Sequence, residues 1–263
     1  MALSPAFYVP AGEGRYESTE WTRGPWSPDH QHAGPPAALL ARELRRAGAI
    51  PGAHLARVTF EVLRPVPIAP LRCAARILRP GRRVELVEGD LRGDDGEPLV
   101  LARGWRLRRE AMDLPEPGGE PPAPPETGDP NVEFPGKQDV GWHTAMDIRF
   151  VAGAFDRPGP ATAWFRMRGA LVEGEAPEPL DNLFSAADAG NGISSILAFE
   201  RHQFINTDLN VHLHRAPAGE WVALDSVTEL SRDATGLAQS TLYDERGPVG
   251  RALQTLLVTE RQV

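Results

Sequence analysis

The feature that most constrains this chain is that it repeats itself. Phe60-Glu-Val-Leu-Arg-Pro-Val-Pro67 resembles Val211-His-Leu-His-Arg-Ala-Pro217, with Arg64 matching Arg215. Leu91 matches Leu242 and Gly96 matches Gly247, and all three pairs stand 151 residues apart. One offset held over such a distance is the mark of a duplicated unit. Between the copies, Leu114 to Gly136 is rich in proline and glutamate and has no apolar periodicity. Proline removes amide donors and disfavours helix before it, so this stretch reads as an extended linker. The expected organisation is an N-terminal domain over 1–112, a Pro/Gly-rich linker over 113–138 and a C-terminal domain over 139–263. Each copy is long enough to bury its own core.

The two copies read alike in secondary structure. In the first, Leu39, Leu40 and Leu44 fall at helical spacing between Pro36 and Arg46, with prolines suited to a helix start. Strand-like runs follow at Leu55–Leu63, Leu71–Leu78, Arg83–Leu91 and Leu99–Leu107, and Arg92-Gly-Asp-Asp-Gly-Glu97 is a hairpin connection. The second copy has strands near Met146–Ala152 and Ala161–Arg168, then a helix from Leu180 to about Ala189. Further strands lie near Leu209–His214, Trp221–Leu230, Ala238–Tyr243 and Gly250–Val258. Strand material, one helix and about four antiparallel strands make an α+β unit, in which the helix buries its apolar side against one face of a curved sheet. Two such units can join edge to edge and so protect their edge strands.

Composition narrows the function classes. A hydrophobic fraction of 41% is too high for a disordered chain, and no apolar run approaches the ~20 residues of a membrane span. Met1-Ala-Leu-Ser-Pro5 has neither a basic nor an apolar leader segment. Cys73 is the one cysteine, which excludes an intrachain disulfide and a cysteine zinc cluster. A cytoplasmic protein is expected. The net charge of −8 argues against a broad nucleic-acid surface. Lys137 is the only lysine, and the excess of Arg, Ala, Pro and Gly points to a GC-rich bacterial genome.

Most familiar catalytic motifs are absent, including G-x-S-x-G, the P-loop, H-E-x-x-H and C-x-x-C. His212 and His214 share a sheet face but lack a third ligand, and Arg215 beside them would repel a cation, so no metal is expected. Asp29-His-Gln-His32 reads as a loop capping the first helix, and Cys73 as a buried structural residue. The informative contrast lies between the helices. At the repeat offset Asp188 falls opposite Ala37, an acid where the other copy has a methyl. Asp188 follows Ala186 and Ala187 and precedes Gly190-Asn-Gly192, which should end the helix. There it faces the negative pole of the helix dipole, an unfavourable place that calls for a function or for bonding to solvent and local amides. Asn206-Thr-Asp208 opens a strand, which turn chemistry alone would explain. Gln254 interrupts an apolar strand between Leu253 and Leu256, which an outward-facing position would explain.

These residues in this order resemble the acyl-CoA thioesterase II family of double hotdog proteins, from about Phe7 to Thr259 without the linker. Ser185-Ala-Ala-Asp188 is similar to the family's helix segment ending in its catalytic aspartate. Asn206-Thr-Asp-Leu-Asn-Val-His-Leu-His-Arg215 is similar to its strand ending in a His-Arg pair, and Tyr243 to Gln254 to its terminal hairpin with the catalytic glutamine. His32-Ala-Gly34-Pro-Pro is similar to its glycine-bearing helix start. Asn206 stands where the family usually has threonine, and Pro35 where it more often has a second glycine.

The resemblance implies two tandem hotdog units, each with a central helix wrapped by a curved antiparallel sheet. It further implies hydrolysis of acyl-CoA to free acid and coenzyme A, without a cofactor or metal, by a water held between Asp188, Asn206 and Gln254. Substrate contacts from His32, Gly34, Thr207 and Asp208 follow from it, as do a role in lipid metabolism and a homo-oligomer with no nucleic-acid or membrane partner. Asn206 and Pro35 favour one alternative, a non-catalytic acyl-CoA-binding or scaffold protein on the same fold. A hydratase or dehydratase ranks third, since Asp188 has no histidine partner evident in the sequence.

Overall fold

The computed structural model describes residues 6–115, 118–130, 132–136 and 138–261. The first copy comprises β1 (Ala6–Pro10), β2 (Arg15–Ser18), α1 (Gly34–Ala47), β3 (His54–Val62), β4 (Pro70–Arg79), β5 (Val84–Arg92) and β6 (Pro98–Leu107). The second comprises α2 (Trp142–Ala145), β7 (Met146–Ala154), β8 (Arg157–Met167), β9 (Ala170–Val172), α3 (Pro179–Ala187), α4 (Gly190–Ile193), β10 (His202–Asn206), β11 (Asp208–Leu213), β12 (Val222–Leu230), β13 (Thr235–Asp244) and β14 (Gly247–Glu260). The long helices and the four strands after each lie where the periodicity places them. The short strands β1, β2, β9 and β10 and the single-turn helices were not read from the sequence, being too brief to show a period.

All these strands belong to one sheet. Within the first copy the order is β3-β6-β5-β4-β2-β1, and within the second β7-β8-β12-β13-β14-β11, with β10 also on β14. The copies meet where β3 pairs antiparallel with β11. In that seam Thr59 stands directly opposite Asn210, its hydroxyl donating to Asn210 Oδ1 at 2.8 Å. These two residues are themselves one repeat offset apart, so a pseudo-twofold axis passes between them. The matched Gly96 and Gly247 both take positive φ, at 79° and 127°, in equivalent hairpins, where a side chain would be strained. β9 of the second copy pairs in parallel with β1 at the far edge of the first.

α1 packs against β4, β5 and β6 and against α3, and α3 packs against β12 and β8. Pro35 and Pro36 occupy the first turn of α1, and Ala38, Leu39, Leu40 and Leu44 are wholly buried. No helix among the described residues is long and apolar enough to cross a membrane. Cys73 is buried, and burial pushes its thiol well above the usual range.

Over its described residues the proline-rich segment is irregular, but it is no free spacer. Pro125–Thr127 makes a 3-10 turn, Trp164 Nε1 donates to Ala123 O at 2.8 Å, and Asp129 bridges to Phe150 on β7. Phe134 stacks on His143 with ring centroids 4.4 Å apart. Proline denies this segment a ladder of its own, so its ordering comes from packing on the second copy.

Two polar clusters, one buried and one partly exposed, hold the connections. Glu85, fully buried, pairs with Arg106 and accepts the amides of Ala49 and Ile50 at 3.1 and 3.2 Å, tying the end of α1 to β5 and β6. Between the copies, Arg42 on α1 pairs with Glu175, and Arg45 with Glu178 before α3. Asp181 lies 3.8 Å from Arg45, and its burial pushes the carboxyl up to about 6, against the pull of that arginine.

Two outcomes are expected from chemical denaturation. Glu85→Ala strands Arg106 without its partner and costs about 3–5 kcal/mol, whereas replacing both by leucine costs much less. For Asp181 the folded state favours the neutral acid, so this group's contribution is lost as pH rises from about 4 through 6. Asp181→Asn therefore stabilises above pH 6, by about 3 kcal/mol at most, and has little effect at pH 4.

Candidate active site

The helix that ends at Ala187 delivers Asp188 as its cap, with φ −73° and ψ −14°. Asp188 is only 5% exposed, so solvent does not account for it, and the side-chain partners recorded for it are not local amides. Its Oδ1 accepts from Asn206 Nδ2 at 2.9 Å and from Gln254 Nε2 at 3.2 Å. Its Oδ2 lies 3.2 Å from His32 Nδ1. The carboxylate predicted from one copy thus meets a histidine from the other. The sequence could not show this pair, because it depends on how α1 crosses α3.

That crossing is set by Gly34. A Cβ there would run into the backbone carbonyl of Ser185, so only glycine lets the amino end of α1 lie against α3 three residues before Asp188. The positive end of α1 then offsets the unfavourable pole of α3 for the carboxylate. The N-cap of α1 is Ala33 without a side-chain bond; the Gly34 amide donates to His32 Nδ1 at 3.1 Å, and a nitrogen that accepts there has no proton to give Asp188. The imidazole stacks on Trp142, with centroids 4.1 Å apart and planes 7° from parallel, and Trp142 Nε1 donates to Ser185 Oγ at 3.1 Å. Burial pushes the His32 pKa down, partly countered by Asp188. His143 is likewise lowered, by burial and then by His32.

The helix ends just before Gly190-Asn-Gly192, as expected, and these residues open a separate single turn, α4. Gly190 serves close approach, since a Cβ there would stand 2.5 Å from Ser240 Oγ and 3.1 Å from Gln254 Oε1. Gln254 does not face outward. It is buried, donates to Asp188 O at 3.0 Å as well as to the carboxylate, and accepts the Asn191 amide at 3.1 Å. Asn206 Nδ2 donates both to Asp188 and to Asp208 O at 3.0 Å, which leaves its carbonyl oxygen to accept.

Residues 117–258 match the family model for the acyl-CoA thioesterase C-terminal domain, and residues 22–107 that for its N-terminal domain. The chain belongs to the acyl-CoA thioesterase II-like family. A protein of Thermobifida fusca YX, provisionally assigned as a thioesterase II, superposes with a TM-score of 0.75 at 21% identity, covering 96% of this chain and 95% of that one. The acyl-CoA thioesterase II TesB2 of Mycobacterium marinum does so at 0.68 and 15%, covering 97% and 95%. A hot dog fold protein of unknown function from Alicyclobacillus acidocaldarius reaches 0.72 at 13%, covering 95% and 93%. No curated protein matches in sequence. The structural likenesses establish a hot dog fold of class α+β.

In this thioesterase-family chain Asp188 lines a cavity of about 380 Å³, together with His32, Asn191, Asn206 and Thr207. Gln254 does not line it and reaches it only through Asp188 and Asn191. Gly34 and Asp208, two of the expected substrate contacts, also stand outside its lining. The amide of Gly34 is taken by His32. The Asp208 carboxylate accepts the Thr255 amide at 2.6 Å and Asn210 Nδ2 at 2.8 Å, so it is spent on fastening β11 to β14. Trp142 and Asn191 are site residues that sequence reasoning missed. His212 is exposed on β11, and no group of three or more His, Cys, Asp or Glu among the described residues is placed to hold a metal.

Gly34→Ala is expected to force α1 away from α3 and pull His32 from Asp188. The cost should be about 1–3 kcal/mol of stability by denaturant titration, with a changed Trp142 fluorescence as the local reporter.

Proposed function

We propose that this chain hydrolyses acyl-CoA thioesters to a free acid and coenzyme A. The observation that carries the proposal is the buried Asp188 carboxylate, held by two side-chain amides and open to a cavity in a thioesterase-family chain. Asp188 removes a proton from water as the new C–O bond forms at the thioester carbon, a general-base role that contributes about 10²–10⁴-fold. The carbonyl oxygen of Asn206 accepts a hydrogen bond from the other water O–H, which stays on the oxygen, and orients the attack. The tetrahedral intermediate then collapses with rupture of the C–S bond, and the departing thiolate takes the proton from Asp188. Gln254 positions the carboxylate from behind, His32 lies beside its second oxygen, and Thr207 contacts the substrate. Asp208, in place of a substrate contact, fixes Asn206 through its backbone carbonyl.

The reading includes the arrangement that brings these groups together. Each copy, over 1–112 and 139–263, is a hotdog unit with its long helix enclosed by the sheet, joined by 113–138. The packing of α1 on β4, β5 and β6, and of α3 on β8 and β12, supports it. The homo-oligomer implied by the family is part of the same reading and is tested by light scattering.

One observation favours a second reading. The histidine partner that a hydratase needs, missing from the sequence, is present as His32, 3.2 Å from Asp188. Hydration of an enoyl-CoA, followed by loss of its absorbance, separates this from hydrolysis.

Thiol release from acyl-CoA is expected to fall by about 10²-fold or more in Asp188→Asn, chiefly in kcat, with the circular dichroism spectrum unchanged. Gln254→Ala should fall less, since it acts through Asp188. No release by wild type, with acyl-CoA still bound, would overturn hydrolysis in favour of a binding protein.

A further inference from the structure

The cavity that holds Asp188 has two unlike ends. Toward Leu63 and Arg64 it reaches half-exposed side chains, Arg64 being the one arginine in its lining, and it shares Trp26, Phe199 and Gln203 with an open polar groove. Toward Phe134, Trp142 and Phe155 it is walled by rings, and apart from Arg64 and the histidines Asp188 is the one charged residue in its lining among the described residues. The nucleotide of coenzyme A is large, anionic and solvated, so it belongs at the Arg64 end. The acyl group then points to the ring-walled end.

That end is closed by one side chain. Phe155 sits at the tip of the β7–β8 hairpin, where Ala154 pairs with Arg157. Its ring meets Phe134 edge-on at 5.3 Å and Phe150 at 5.0 Å, and a Cβ on Gly192 would touch its Cε1 at 4.0 Å. Beyond it lies a second cavity of about 460 Å³, between β7 and the residues Asp129, Val132 and Glu133. Among the described residues Phe155 alone lines both. At about 380 Å³ the inner cavity is near the lower end of the ~300–1,000 Å³ typical of small-ligand sites, and it must also hold the thioester and the water.

We propose that Phe155, braced by Phe134 and Phe150, is the stop that ends the acyl pocket, making the substrate a short- to medium-chain acyl-CoA and not a long-chain fatty acyl-CoA. This deepens the thioesterase reading and rests on it for the placement of the thioester. The linker of the duplicated chain, through Phe134, thereby becomes part of the specificity apparatus. Removing the Phe155 ring joins the inner cavity to the outer one and leaves Asp188, Asn206 and Gln254 untouched.

The test measures calorimetric binding of non-hydrolysable butyryl-, octanoyl- and palmitoyl-CoA thioethers to wild type, Phe155→Ala and the milder Phe155→Leu, beside thiol release from the matching thioesters. Wild type should bind octanoyl at least about tenfold tighter than palmitoyl. Phe155→Ala should raise palmitoyl affinity about tenfold with butyryl changed less than about twofold, and Phe155→Leu should fall between. Palmitoyl bound by wild type as well as octanoyl, no thioether bound at all, or an unchanged ratio in a folded Phe155 variant would each overturn the stop. Binding in the expected order without thiol release would instead overturn hydrolysis and leave the stop standing.

Discussion

A sheet edge left bare is a liability, and in this chain the bare edges of two similar units are spent on one another. β3 and β11 pair across the seam about an axis between Thr59 and Asn210. Everything at the site depends on that pairing, because it presses the helix of one unit against the helix of the other. The contact is close only because Gly34 has no side chain to meet Ser185. Ion pairs from Arg42 and Arg45 to Glu175 and Glu178 lie across the same junction, so the crossing is held by charge as well as by packing.

Duplication then works by asymmetry. The two copies share strands, turn glycines and a helix, but only one helix ends in an acid; Ala37, one repeat offset from Asp188, lies instead in the first turn of α1, so the offset does not match the two helix ends. The first copy contributes His32, the second Asp188, Asn206 and Gln254. Neither copy alone brings the histidine to the carboxylate, so the candidate site exists only where the copies meet. Polar groups behind Asp188 continue the theme. Gln254 is satisfied on both ends by Asp188 and the Asn191 amide, and Ser226 meets Ser240 at 2.7 Å beneath α4. A buried network in which each member has a partner holds a reactive group rigidly, which positioned water catalysis needs.

The proline-rich segment belongs to the same design. It cannot form a ladder, yet it lies over β7 and lends Phe134 to a wall of aromatic rings. What begins as a connection between copies ends as one side of the cavity.

Much of this was legible in the sequence. Apolar alternation placed β3 to β6 and β11 to β14, helical spacing placed α1 and α3, and the repeat offset matched Gly96 with Gly247 in equivalent hairpins. Asp188 was legible because an acid at a helix carboxyl end is anomalous, and resemblance joined Asn206 and Gln254 to it. The sequence could not decide the rest, because those facts are distances between remote segments. Tertiary structure alone put His32 at 3.2 Å from Asp188, turned Gln254 inward behind it, withdrew Asp208 into the β11–β14 junction and carried Gly190 onto Ser240. Local periodicity records which face of an element is buried. It does not record what the opposing element brings to that face, and the candidate chemistry of this protein is made at such a meeting.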